Sequence, residues 1–427
     1  MAVLLLAAVC VLVSPAPAAA DPLEGLIVRE IHVAGLHSLR PEAVTRHLAT
    51  RVGQPFRRAT LAVDRRRLDE LRLFTAVALA PRLDTDAVVL DVSLTETVRL
   101  LPAVAVRVTD ENGVSAGLGM RGINVRGRGM QSSVSAMFGG ETQVGGALDS
   151  TTITPGTWAL HAGASYSDRR NALYDFDERA TSAELRVSRN FDRGLRLGGL
   201  ASLLVIDSRD SGDSEASGAT LSPDGTDVLP TMGGFVTLDT LDSATDPRLG
   251  TWAELEVDHV SGNARSWTFI LDARRFQRLS ERHGLGLFSL ASFQTGEVGV
   301  ELPEYLQYAL GGSNSVRGWS LGSRLGRNQF IGTAEYTCVV RKVTPFSVFG
   351  FHAYAGLQAA VFADAGAAWS DSADRQSAID GYGAGLRVLV PFVDLIRIDM
   401  AWGEPGTGAH VYFGIALKAA RQRQRVR

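Results

Sequence analysis

The 427-residue chain predicts a transmembrane β-barrel of sixteen antiparallel strands, preceded by a small α+β module of order β-α-α-β-β. Three observations carry that fold class. An apolar leader ends in a small-residue site. No later stretch is apolar enough, for long enough, to cross a bilayer as a helix. From Leu100 onward, short segments of weak alternation replace helical periodicity.

The leader runs from Ala2 to Val13, is broken by Pro15 and Pro17, and closes with Ala18-Ala19-Ala20 before Asp21. This is the pattern of a secretory signal peptide over residues 1–20, although its start carries no Lys or Arg. Cys10 follows Val9 rather than a small residue, which argues against a lipid anchor. Once the leader is removed one thiol, Cys338, remains, so no intrachain disulfide can form. An exported chain without a spanning helix is either soluble or a barrel. Composition does not decide, with 45% hydrophobic and 21% charged residues. A net charge of −3 gives no basic field for nucleic acid.

Residues 24–96 differ from everything after them. Leu26 to Val33 alternates as a strand and Gly35 closes it. Pro41 opens a first helix with Ser38 as a nearby cap, and Val44, His47 and Leu48 fall at helical spacing. After Gly53-Gln54-Pro55, a second helix spans Arg57 to Leu73 with Leu61, Leu68 and Leu71 on its apolar side. Thr75 to Pro81 and Ala87 to Leu94 read as two strands joined by Asp84-Thr85-Asp86. The triplet Arg65-Arg66-Arg67 reads as a solvated helix face.

In residues 100–418 the strand pattern is illustrated by Ala180 to Arg189, where Leu185 and Val187 alternate with Glu184, Arg186 and Ser188. A strand crossing a bilayer needs only about 9 to 11 residues, with one face to lipid and the other to a polar lumen. Sixteen such segments can be marked, an even number as closure of an antiparallel barrel favours. Long polar gaps at 168–178, 208–229, 296–326 and 370–379 all join odd to even strands, which places them at one end. The gaps at 239–249 and 342–354 are longer than this scheme wants. Residues 419–427 form a basic tail.

The sharpest local signal is Gly311-Gly312-Ser313-Asn314-Ser315-Val316-Arg317-Gly318-Trp319, in the longest gap. Gly332-Thr333-Ala334-Glu335-Tyr336 and Phe362-Ala363-Asp364-Ala365-Gly366 follow in order, and Asp246-Pro247-Arg248-Leu249-Gly250 precedes it. This ordered set resembles the Omp85 superfamily, whose signature loop carries Val-Arg-Gly followed by an aromatic. Residues 24–96, with Ile31 to Gly35 and Gly53 to Phe56, resemble that superfamily's POTRA module. The resemblance implies that the loop bearing Val316, Arg317, Gly318 and Trp319 folds into the lumen. Arg317 keeps its charge there and needs acceptors, for which Glu335 and Asp364 are the candidates. Phe362 and Gly366 support the motif.

No Gly-x-Ser-x-Gly elbow, phosphate loop or metal spacing occurs, so neither enzyme activity nor a metal or other cofactor is expected. The resemblance implies an outer-membrane assembly or translocation factor with its N-terminal module in the periplasm. Its partners would be the lipid bilayer, unfolded barrel or secreted clients, and a periplasmic protein at the POTRA-like domain. A passive channel or structural barrel is one alternative. A two-partner exporter for a single passenger is another. A seam for clients is sought around Gly113 to Gly122 and Val411 to Leu417.

Overall fold

The computed structural model describes residues 22–415, apart from 38, 72, 97–99, 110–112, 126–129, 151–157, 172, 175, 211–218, 244–245, 349–350, 372–377 and 390–395. The leader, the basic tail and the Ser38 cap lie outside the described residues.

The N-terminal module places β1 (Val28–Ala34), β2 (Phe74–Asp84) and β3 (Ala87–Glu96) in one sheet of order β1-β3-β2, with β1 parallel to β3 and β2 antiparallel to it. Helices α1 (Pro41–Thr45) and α2 (Arg58–Glu70) pack on that sheet. Val44, Leu48, Leu68, Leu71, Leu90 and Val92 form its core. Full burial of each such side chain contributes roughly 1.5–3 kcal/mol. The first helix is shorter than its spacing suggests. Its N-cap is Arg40, which makes no side-chain cap bond, and Pro41 supplies the pre-set first position. Asp64 of α2 joins the two helices, its carboxylate accepting from the Ala49 and Thr50 amides and the Thr50 hydroxyl. The β2–β3 turn puts Thr85 in the left-handed region, and Arg29 of β1 binds Asp84 at 3.1 Å and Asp86 at 2.7 Å across it.

A sixteen-stranded antiparallel sheet follows. Its first half is β4 (Leu100–Thr109), β5 (Gly113–Val125), β6 (Met130–Gly139), β7 (Thr142–Ser150), β8 (Trp158–Arg170), β9 (Phe176–Asn190), β10 (Leu195–Asp210) and β11 (Thr226–Asp239). The second is β12 (Gly250–Val260), β13 (Ser266–Arg278), β14 (His283–Gln294), β17 (Asn328–Val348), β18 (Phe351–Trp369), β19 (Ile379–Leu389), β20 (Ile396–Trp402) and β21 (His410–Ile415). Two short strands, β15 (Tyr308–Leu310) and β16 (Arg324–Gly326), pair with each other inside the β14–β17 connection. All sixteen segments marked in the sequence fall on these wall strands.

Alternation is clear on β13. Trp267, Phe269 and Leu271 are exposed, while Thr268, Ile270, Asp272 and Arg274 between them are buried. Large apolar side chains thus point to lipid and polar ones to the lumen. The β14–β17 connection shows that the sheet curves round a lumen. Its Leu302, Tyr305 and Leu306 pack with Phe176, Leu204, Leu229 and Val260 of β9 to β12, whereas Leu310 and Val316 pack with Ile331, Ala368 and Ile379 of β17 to β19. Among the described residues no helix is long and apolar enough to cross a membrane.

Both over-long gaps have structural explanations. Segment 342–354 is mostly strand, because β17 runs on to Val348 and β18 starts at Phe351. Before β12, the Asp242 carboxylate accepts from the Arg248 and Leu249 amides, and Asp246 accepts from Gln358 Nε2 of β18 at 3.2 Å. The Asp-Pro-x-x-Gly residues therefore brace this segment against another part of the wall.

The arginine triplet corrects the expectation of a solvated face. Arg66 is buried, donates to the Asp239 carbonyl at 2.9 Å and pairs with its carboxylate at 2.7 Å. Asp239 ends β11, the eighth wall strand, while the module joins the wall at β4, the first. In a sixteen-strand ring these points lie half a circuit apart, so the module reaches across the barrel mouth at this end. The long β14–β17 connection leaves from the opposite end.

Candidate functional site

The site forms where the β14–β17 connection meets the inner faces of β17 to β21. Its centre is Arg317, among the largest fully buried side chains of the molecule. A buried guanidinium is tolerated only when its donors are matched by acceptors. Here Nε donates to Asp364 Oδ2 at 2.6 Å and Nη2 to Asp364 Oδ1 at 3.0 Å, a bidentate fork. Nη1 donates to Asp399 Oδ2 at 3.0 Å, and the Arg317 amide also reaches Asp364 Oδ2 at 3.2 Å. The Cζ atom lies 3.2 Å from the Phe362 ring centroid, a close cation–π contact.

The two predicted acceptors therefore differ. Asp364 is the principal partner of Arg317. Glu335 approaches Nη1 only to 3.6 Å and instead holds Arg387 of β19 at 2.7 Å. Arg387 and Asp399, absent from the sequence-level set, complete the constellation. Arg387 Nη1 donates to Asp399 Oδ1 at 2.5 Å, so one β20 carboxylate serves two buried arginines. A third arginine, Arg397, pairs with Asp399 at 3.2 Å and donates to the Ser313 carbonyl of the loop at 2.7 Å. Arg317, Arg387 and Arg397 thus face Glu335, Asp364 and Asp399. The positive and negative charges balance, which burial demands. None of the three missed residues, Arg387, Arg397 and Asp399, lies in a recognisable motif. The signal for Arg387 and Asp399 was alternation, since they occupy inward positions of their strands.

The short motifs now have physical reasons. On β18, Phe362, Asp364 and Gly366 all point inward at a spacing of two. Phe362 lies under Arg317 and over Gly383, where an added Cβ would fall 2.5 Å from its ring. Asp364 takes the fork and also accepts from the Thr333 hydroxyl of the Gly-x-x-Glu-Tyr strand. Gly366 leaves room for the loop, because a Cβ there would sit 2.9 Å from Val316 Cγ2 and 3.3 Å from Leu310 Cδ1. Gly318 has φ +91°, and a Cβ would lie 2.5 Å from the Trp402 carbonyl carbon. Trp319 is half-buried beside Gly403, and its Nε1 donates to the Asp380 carbonyl at 2.7 Å. All eight predicted residues, Val316, Arg317, Gly318, Trp319, Glu335, Phe362, Asp364 and Gly366, converge here.

The far limb of the loop is held as well. Tyr305 is fully buried and donates to Asp227 Oδ2 of β11 at 2.7 Å. The loop therefore occupies the lumen from wall to wall. Among the described residues no cluster of His, Cys, Asp and Glu is arranged to hold a metal ion.

The expected seam needs one adjustment. Gly113 to Gly122 belong to β5, which pairs with β4 on one side and β6 on the other, so they lie one strand in from the end. The terminal wall strands are β4 and β21, and among the described residues no hydrogen-bonded ladder joins them. Residues 416–417 of the other expected segment lie outside the described residues.

Comparison with known proteins matches this architecture. The Omp85 superfamily domain matches residues 124–418. BamA from Haemophilus ducreyi lacking POTRA domains 1–3 has a similar fold, with TM-score 0.56 at 14% identity over 91% of this chain and 83% of that one. CdiB from Escherichia coli gives 0.54 at 15% identity, covering 94% and 92% respectively. CdiB from Acinetobacter baumannii gives 0.52 at 13%, covering 94% and 72%. No curated relative matches the chain. With its family domain spanning most of the sequence and the motif residues gathered in one lumen, the chain belongs to the Omp85 superfamily of outer-membrane β-barrels.

Proposed function

We propose that this protein inserts or translocates client proteins at the outer membrane without covalent chemistry, with residues 24–96 acting as a POTRA-like module on the periplasmic side. The observation that carries this reading is that, among the described residues, no ladder joins the terminal wall strands β4 and β21. A closed barrel satisfies every backbone group internally, and an unpaired pair of edges in lipid is costly. Such a boundary is the natural place for a client strand to add. Membership of the superfamily and the BamA-like and CdiB-like fold support a protein-handling role.

The module suits the first step. Its sheet ends on β2, whose Ala78, Ala80 and Arg82 are exposed, and an extended client could pair along such an edge. The loop across the lumen, from Tyr305 to Trp319, counts against an open passive pore. Depletion followed by outer-membrane proteome profiling tests the reading. Broad loss of barrel proteins supports an assembly factor, and loss of one secreted protein supports a dedicated exporter. An unchanged profile overturns both in favour of a passive barrel.

A further inference from the structure

The loop motif is also bonded to the last hairpin. The Gly318 amide donates to the Tyr412 phenol oxygen at 3.0 Å, and that phenol donates in turn to the Trp319 carbonyl at 3.2 Å. The Glu404 amide donates to the Gly318 carbonyl at 2.8 Å. The Glu404 carboxylate accepts from the Ser320 amide at 3.1 Å and the Ser320 hydroxyl at 2.8 Å. Tyr412 sits on β21, and Glu404 lies in the connection from β20 to β21.

These bonds tie β21, a terminal strand of the wall, to the lumen loop. Among the described residues its ladder to β20 runs from Ile396↔Ile415 to Ala401↔His410. Its outward residues Val411 and Phe413 are exposed to lipid. Among the described residues no ladder holds its other edge. Tyr412 is the inward side chain between them, and its register partner is Asp399, the carboxylate shared by Arg317 and Arg387.

We propose that Tyr412 and Glu404 make the lumen loop a clamp on the terminal hairpin, so that β21 is released from its seam position only when the loop shifts. This rests on the reading of the β4–β21 boundary as the client site and names the positioning residues that govern it. A loop displaced by a client in the lumen would lose the Tyr412 and Glu404 bonds together, loosening the strand the client must pair with. In the reverse direction, a strand added at the seam would pull on Gly318 and Trp319.

The test uses the full-length protein in lipid nanodiscs, with hydrogen exchange read on β21 and protease access read on residues 296–326. Tyr412→Phe keeps the ring and its stacking on His410, whose centroid is 6.1 Å away, and removes both hydrogen bonds. It should raise β21 exchange about fivefold or more, the scale set by one lost hydrogen bond. It should also raise protease access to the loop, while β9 and β10 exchange as in the parent. Glu404→Gln should act in the same direction. Val411→Ala, which changes the lipid face of the same strand, should leave loop access unchanged. Unchanged β21 exchange in Tyr412→Phe overturns the clamp. So does a rise shared equally by β9 and β10, which would mark general loosening. Client insertion is scored on the same samples. Raised β21 exchange with no insertion by parent or variant upholds the clamp and rejects the insertion reading.

Discussion

Arg317 sits over the Phe362 ring while its fork grips Asp364 and its remaining nitrogen reaches Asp399. Removing one partner of a buried ion pair costs about 3–5 kcal/mol, because the other charge stays buried and uncompensated. Arg317→Ala should therefore free the loop without unfolding the wall, seen as at least a tenfold faster cleavage within 296–326 in an intact barrel. The carboxylates should rank by their geometry. Asp364→Asn breaks the fork and should expose the loop most. Asp399→Asn should come next, since it loosens both Arg317 and Arg387. Glu335→Gln should have the smallest effect on the loop, being 3.6 Å from Arg317 and partly exposed. The reverse order in limited proteolysis would show that the fork is not the anchor. At this scale the sequence was informative where residue type dictates a role. Arg317, Asp364 and Gly366 stand in a pattern whose chemistry is legible before folding. Arg387 and Asp399 do not, because an inward charge on one strand acquires meaning only from the strands beside it.

A partly buried pair, Arg66 with Asp239, joins the N-terminal module to the barrel wall. A consecutive run of three arginines on a helix cannot show which member faces a neighbour, so this contact was hidden in the sequence. Arg66→Ala and Asp239→Ala should each broaden the distance distribution between spin labels on α2 and the wall. The double variant should add little to either, as expected for residues acting as a unit. Equal narrow distributions in all three variants would mean the module is held by something else. Within the module, burial beside Arg46, Arg67 and Arg51 lowers the His47 pKa to about 4, and burial raises Asp69 to about 6. Their signs oppose. The unfolded chain binds the His47 proton more readily between about 4 and 6.5, so this residue withdraws stability as pH falls. The folded chain holds the Asp69 proton more tightly between about 3.8 and 6, so that residue adds stability as pH falls. The two partly cancel in the parent. His47→Gln should make α1 and α2 exchange more slowly, relative to the parent, at pH 4.5 than at pH 7. Asp69→Asn should reveal a steeper acid loss. Parallel pH profiles for parent and both variants would contradict these assignments.

Across the whole molecule, the wall was the most legible part. Period-two alternation sets which side chains meet lipid, and the need to pair backbone groups in lipid favours a sheet that curves round a lumen. Strand ends were less legible, as at β17 and β18, because lumen contacts and long hairpins extend strands beyond what apolar pattern marks. Of the two segments sought for the seam, Val411 onward lies on the terminal strand β21, while Gly113 to Gly122 lie one strand in, on β5, whose glycines look weak locally although β4 and β6 pair with both its edges. The proposed insertion role would unite module, loop and seam in a single action on another protein, and reconstitution tests that most directly. The purified protein is placed in vesicles, an unfolded outer-membrane barrel is added, and its folding into the bilayer is followed by heat-modifiable gel mobility. The account predicts faster folding than in protein-free vesicles, and loss of that gain when a disulfide joins β4 to β21. Folding no faster than in protein-free vesicles, or equally fast with the seam locked, would contradict it.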